Sequence, residues 1–147
     1  MIRPATPHDL PALLELGERM HAESPRFSRL AFSRDRLHQT LSGLLSNPAG
    51  FLWVAESEGQ VIGGMAGFIA QHWASEDKVA TDLALFIDER MRGGMSTARL
   101  VNEYKRWAWK HGAHIVQVGI TTGVQTEQTA RLYERLGFAR CGLILEA

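Results

Sequence analysis

Cysteine is almost absent: Cys141 is the only one in 147 residues, so no intrachain disulfide can staple the fold. With no activating base near it in sequence, Cys141 reads as a small buried hydrophobe and not as a nucleophile. A surplus of charge is also absent, since sixteen Lys and Arg balance sixteen Asp and Glu. A nucleic-acid binder normally carries a basic surplus or stripe, so this balance argues against one. It leaves room for a small anionic ligand in a local positive pocket. No apolar run is long enough to cross a bilayer, and Met1-Ile2-Arg3-Pro4 carries no apolar signal core. The expectation is a cytoplasmic protein. The six histidines show no spacing with Cys, Asp or Glu that suits a metal. Repeats, low-complexity tracts and linkers are missing too, which leaves residues 1–147 reading as one domain.

What is present is an ordinary globular composition, 45% hydrophobic and 22% charged, with enough chain to bury a core. Ile2 and its neighbours read as a short strand. Thr6-Pro7-His8-Asp9 is a helix start, with Leu10, Leu13, Leu14 and Met20 following at helical spacing. His21 to Phe32 reads mostly as loop. Ser33 caps a second helix that carries Leu37, Leu41, Leu44 and Leu45 and stops at Asn47-Pro48. Strands follow at Phe51–Glu56, Val61–Gln71 and Val79–Ile87, the first two joined by the Glu58-Gly59 turn. Ser96 to His111 returns to a helical period, Ile115–Thr121 is a strand, and Gln125–Leu136 is a helix capped by Gly137. Phe138–Leu145 reads as a final strand. Three consecutive strands imply antiparallel hairpins, and the later strand-helix-strand unit implies a parallel crossover. The fold class is α/β, a mixed sheet with helices on both faces.

Leu83 to Val101 carries the first chemical signal. A buried strand ends at Leu85-Phe86-Ile87, then Asp88 to Gly94 supplies Arg90, Arg92, Gly93 and Gly94, and an amphipathic helix begins. Free amides and the helix dipole favour an anion at such a helix start, glycine allows close approach, and arginine adds charge-assisted bonds. Gly93-Gly94 also reads simply as a turn. No Walker-type Gly-Lys-Ser/Thr follows, and the glycine spacing is not that of a dinucleotide fingerprint. The second signal is Ala130-Arg131-Leu132-Tyr133-Glu134-Arg135-Leu136-Gly137-Phe138. Tyr133 falls on the inner face of its helix, where a phenol needs a partner: either a core bond or a ligand.

These segments together resemble the GNAT N-acetyltransferase superfamily. Leu132-Tyr133 before Leu136-Gly137-Phe138 is similar to that family's late helix and strand. Phe86-Ile87-Asp88 followed by Arg92-Gly93 resembles its acetyl-CoA segment, and Val61-Ile62-Gly63-Gly64 resembles its third strand. The element order agrees over nearly the whole chain. The resemblance implies the GNAT acyl-CoA N-acyltransferase fold, with a central sheet of six to seven strands, and an acetyl-CoA co-substrate without a metal. It implies pantetheine along the Leu85, Phe86 and Ile87 strand. It places the pyrophosphate in a loop of pattern Q/R-x-x-G-x-G/A, at Arg92, Gly93, Gly94, Met95, Ser96 and Thr97. In that register Met95 and Thr97 stand at the glycine positions; a register starting at Arg90 puts Gly93 and Met95 there. Phe86 and Leu100 then fall at apolar family positions only in the first. Thr126 stands where an asparagine often precedes the tyrosine by seven residues.

The same resemblance implies direct acetyl transfer to a primary amine of a small molecule or peptide. Tyr133 would be the general acid for the leaving thiolate, and Asp82 the candidate base. Asp82 reads equally as a solvated strand residue. Glu56 and His72 are poorer candidates. The acceptor site is expected from His21–Leu45 and the His72–Lys78 loop. Arg26, Arg29, Arg34 and Arg36 form a local basic cluster, either a solvated face or a contact for an acidic group. Trp109 lies on the polar side of its helix, and the Phe138 strand offers an edge, so a homodimer is expected. The competing function is a non-catalytic acyl-CoA-binding or interaction module with the same fold.

Overall fold

Five strands form one mixed sheet in the computed structural model, which describes residues 1–147. β1 (Ile2–Pro4), β2 (Gly50–Ser57), β3 (Gln60–Gln71) and β4 (Lys78–Ile87) are antiparallel neighbours in chain order. β5 (Ala113–Gln117) joins β4 in parallel. α1 (Leu10–Glu23) and α2 (Arg34–Ser46) lie between β1 and β2 in sequence. α3 (Ser96–Lys110) connects β4 to β5, and α4 (Thr126–Arg135) follows. No helix is long and apolar enough to cross a membrane.

Local chemistry explains the helix ends. The Asp9 carboxylate accepts the Thr6 N–H at 2.8 Å, closing a capping box one turn ahead of α1. Ser33 Oγ accepts the Arg36 N–H at 3.1 Å and starts α2. Gly137 ends α4 with φ +97°, a left-handed conformation that side chains resist.

Alternation along β2 then divides the core between two faces. Phe51 and Ala55 point to the α3 side, while Leu52 and Val54 point to α1 and α2. On the first face Leu100, Val101, Tyr104 and Ala108 of α3 are fully buried against the sheet. On the second, Leu10, Leu13 and Leu16 of α1 meet Leu41 and Leu44 of α2. Each such aliphatic side chain contributes roughly 1.5–3 kcal/mol on burial, so both helix layers are anchored to the strand that separates them.

Four sequence expectations fail at the C-terminal side. The sheet has five strands and not six to seven, and residues 138–147 take no regular structure. An apolar run can suggest a strand, but a strand also needs a neighbour to share its amides. β5 ends at Gln117, short of the expected Thr121, and offers no partner further on. Side chains fix the terminal segment instead. Phe138 packs on Tyr133 and under Lys105, Arg140 binds Glu127 at 2.7 Å, and Glu146 binds Arg29 at 2.7 Å. Leu143, Ile144 and Leu145 are exposed. Cys141, expected to be buried, is exposed in the same segment.

Candidate active site

A one-residue bulge in β4 shapes the centre of the sheet. Ala66 pairs with Ala84 and the next residue, Gly67, pairs with Asp82, so Leu83 is the extra residue. The bulge reverses the parity of β4. Ala80 before it and Leu85 and Ile87 after it face α3; Ala84 and Phe86 face α1 and α2. Gly67 permits the arrangement, because a Cβ there would lie 2.9 Å from the Tyr104 ring and 3.0 Å from Thr81 O.

At the same level β4 and β5 part. Their pairing runs from Lys78 with Ala113 to Thr81 with Gln117 and then stops. Asp82 Oδ1 accepts the Gly119 N–H at 2.9 Å, so its carboxylate closes the apex of the wedge. Beyond it, Asp88 N–H donates to Ile62 O at 2.7 Å. Antiparallel ladders alternate between bonded and non-bonded pairs, so Phe86 turns its amide to β3. Leu85 and Ile87 turn theirs to the side that β5 has left.

Three titratable side chains converge on the apex. Burial pushes the Asp82 carboxyl up to about 6, against the pull of the Gly119 amide. Tyr104 and Tyr133 both have phenols raised well above the ordinary tyrosine range, first by burial and then by the charge of Asp82. Tyr104 Oη donates to Gln117 O at 2.9 Å, at the last residue of β5. The Tyr133 hydroxyl has no partner within the chain, yet no fully buried polar side-chain atom lacks one. It therefore opens to solvent while its ring is buried. Thr126 is exposed at the start of α4, about two turns from Tyr133 on the same helix face.

The other end of the wedge is the N-terminus of α3. The first helical bond there is Arg99 N–H to Met95 O, and the amides of residues 93–98 have no backbone acceptor. Gly93 has φ +87°, the one left-handed position in this loop, which is a physical reason for glycine there. Met95 is 65% exposed. Arg92 is not free: it holds Glu23 at the end of α1 by two bonds of 2.6 Å. Each partner of that pair stabilises the other's charge, lowering Glu23 and raising Arg92. Arg90 is likewise turned back onto the buried Asp88 carboxylate at 2.8 Å and holds it well below the carboxylate range.

Of the sequence-selected residues, Asp82 sits where β4 and β5 part and Tyr133 feels its charge, Leu85 and Ile87 turn their amides to the side that β5 has left, Phe86 turns to α1 and α2, and Gly93, Gly94, Met95, Ser96 and Thr97 lie at the start of α3. Glu56 lies elsewhere, bound to Arg3 at 3.2 Å. His72 is exposed in the turn at the opposite end of β4, and its Nδ1 accepts the Ala74 N–H. Of the basic cluster, Arg26 and Arg29 bind Glu146 and Arg34 binds Glu18. Sequence reasoning did not single out Tyr104, Glu23, Gly119 or the bulge. The loss of alternation from Leu83 to Ile87 was the one available sign of the bulge.

A cleft of about 220 Å³ opens on the other face of the bulge, between α1, α2 and β4. Leu83 and Ala84 both line it.

The fold is that of solved N-acetyltransferases. A ribosomal-protein-alanine N-acetyltransferase from Brucella melitensis superposes with TM-score 0.81 at 25% identity, over 97% of this chain and 86% of that one. An aminoglycoside antibiotic 6'-N-acetyltransferase from Acinetobacter haemolyticus gives 0.77 at 16% identity, over 100% and 96%. AAC(6')-Iy in complex with a bisubstrate analogue, CoA-S-monomethyl-acetylneamine, gives 0.78 at 15% identity, over 100% and 95%. No curated protein matches the sequence significantly. The chain belongs to the Acetyltransferase (GNAT) family, whose pattern it matches over residues 15–138.

Proposed function

We propose that the protein is an acetyl-CoA-dependent N-acetyltransferase that moves an acetyl group directly to a primary amine of a small molecule or peptide. One observation carries this reading. The β4–β5 wedge has a carboxylate and an unpartnered phenol at its apex, and a row of free amides at its mouth.

Those features fit the co-substrate. The amides of Gly93, Gly94, Met95, Ser96 and Thr97 suit a diphosphate, with Arg92 beside them once Glu23 yields it. The outward backbone groups of Leu85 and Ile87 suit the amides of a pantetheine arm, and Phe86 anchors that strand from the other face. Thr126, about two turns before Tyr133 on the same helix face, would offer the co-substrate a hydroxyl. Acetyl-CoA brings the thioester: its C–S bond breaks as the C–N bond to the amine forms, and one proton passes overall from nitrogen to sulfur.

The chain manages that proton at both ends. Asp82, with its carboxyl near 6, is ionised at neutral pH and still basic enough to take a proton from the attacking nitrogen. Tyr133, raised by burial, stays protonated and donates toward the developing thiolate. A backbone N–H in the stretch of β4 that the bulge at Leu83 distorts would serve the thioester carbonyl, the oxyanion role of such donors.

The test is thiol release from acetyl-CoA over a panel of amines, with calorimetry of acetyl-CoA binding alongside. Release that drops in Tyr133→Phe while binding is kept supports the enzyme. Binding without release from any amine, for both proteins, would leave the non-catalytic module.

A further inference from the structure

The cleft on the α1–α2 face of β4 has a chemistry of its own. It is lined by Met20, Phe32, Leu37, Leu83, Ala84 and Phe86 among others, and no Asp, Glu, Lys or Arg contributes to its wall. Its two polar side chains are both committed to backbone carbonyls. His21 Nε2 lies 2.7 Å from Leu30 O, so that nitrogen bears the hydrogen and donates it; Thr40 Oγ1 donates to Arg36 O at 3.1 Å. At about 220 Å³ it is smaller than the ~300–1,000 Å³ usual for drug-sized ligands.

The bulge joins this cleft to the wedge. Because Leu83 is the inserted residue, Leu83 and Ala84 both turn to the cleft, while Asp82 closes the wedge on the adjoining stretch of the same strand. A body seated in the cleft therefore lies against β4 beside the proposed reacting centre. A second ammonium seated there would have no carboxylate to pair with, and burying an unpaired charge is strongly unfavourable.

The stretch His21–Leu45, where the acceptor site is expected, contributes His21, Phe32, Leu37, Thr40 and Leu41 to this cleft, and from its lining we infer that the acceptor is a small primary monoamine on an apolar, uncharged body, aromatic or branched aliphatic. Polyamines and aminoglycosides are disfavoured. This rests on the acetyltransferase reading for turnover, but the cleft's preference for an apolar amine is a binding property that can be read without it.

The experiment compares 2-phenylethylamine and isopentylamine with spermidine and kanamycin. Thiol release is followed at saturating acetyl-CoA, and calorimetry of each amine is run on the CoA-loaded protein. Thr40→Glu introduces a carboxylate into the wall, and Thr40→Val is the uncharged control of similar size. The expected result is that the apolar amines lead in kcat/KM by more than about tenfold, a difference of roughly 1.4 kcal/mol. Thr40→Glu should narrow or reverse that order, and Thr40→Val should keep it, with acetyl-CoA affinity the same in all three. Spermidine or kanamycin leading in wild type would overturn the inference and leave the acetyltransferase intact. So would peptides alone being turned over, or hexanoyl-CoA outperforming acetyl-CoA because the cleft holds the acyl chain. Should no amine be turned over, phenylethylamine binding that Thr40→Glu weakens would uphold the cleft and remove the enzyme. No binding at all would remove the cleft.

Discussion

The molecule's only two tyrosines stand side by side and are treated differently. Tyr104 on α3 and Tyr133 on α4 are both buried, both face the same core, and both feel the charge of Asp82. Tyr104 donates a hydrogen bond to the last carbonyl of β5 and so belongs to the structure. Tyr133 keeps a hydroxyl that nothing in the chain satisfies, at the point where two strands separate. A buried phenol ordinarily finds a partner, so one left open inside a wedge is available for a ligand.

That contrast can be broken experimentally. The largest effect is expected for Tyr133→Phe: turnover should fall by ~10²–10⁴-fold, the range for a positioned acid. Its melting temperature should stay within the error of wild type, because no internal bond is lost. A Tyr133→Phe protein that unfolds early but retains turnover would assign that tyrosine to the structure instead.

Asp82→Asn should come next, with turnover reduced by about 10²-fold above pH 7. In wild type kcat/KM should rise as Asp82 ionises, reaching half its plateau at about pH 6, and the variant should be flat there. Stability has the opposite sign. The folded carboxyl binds its proton more tightly than the unfolded one, which titrates near ~3.9. Its contribution to stability is therefore complete below about pH 4 and is lost as pH rises through about 6. Chemical denaturation at pH 4 and pH 7 should show that slope in wild type and a shallower one in Asp82→Asn.

Arg92→Ala should weaken acetyl-CoA binding by roughly tenfold, the loss of one charge-assisted contact, with kcat little changed; calorimetry reads it. The loss is kept moderate because residues 93–98 retain their amides. The smallest effect is expected for Tyr104→Phe. Removing its bond to Gln117 O should lower stability by ~1 kcal/mol, with turnover within a few-fold of wild type. A drop in turnover comparable to that of Tyr133→Phe would erase the distinction between the two tyrosines.

Part of the candidate site can be read from sequence. Tyr133 stood out as a phenol on an inner helix face, whereas Asp82, fifty residues away in sequence, was marked by the family resemblance and read equally as a solvated strand residue. The Gly93-Gly94 loop read either as an anion-binding start to α3 or as a simple turn, and Gly93 takes a positive φ of +87° that favours glycine. The state of Arg92 did not show. Nothing in its neighbourhood announces Glu23, which lies 69 residues away and meets it only after α1 packs on the sheet. The terminal segment misled for a related reason. Phe138–Leu145 has a strand's composition, but pairing depends on where β5 ends.

Local physical chemistry therefore indicated the type of the elements from β1 to α4, because capping, period and turn residues act within a few positions of themselves, but not the end of β5 or the fate of residues 138–147. The resemblance to a family, and not local chemistry, assigned the candidate residues their roles. The folded arrangement alone decided how they are used: the bulge at Leu83, the parting of β4 from β5 at Asp82, the satisfied and unsatisfied tyrosines, and the Glu23–Arg92 pair. Each of these depends on which distant backbone groups meet, and a linear pattern of side chains carries no record of that.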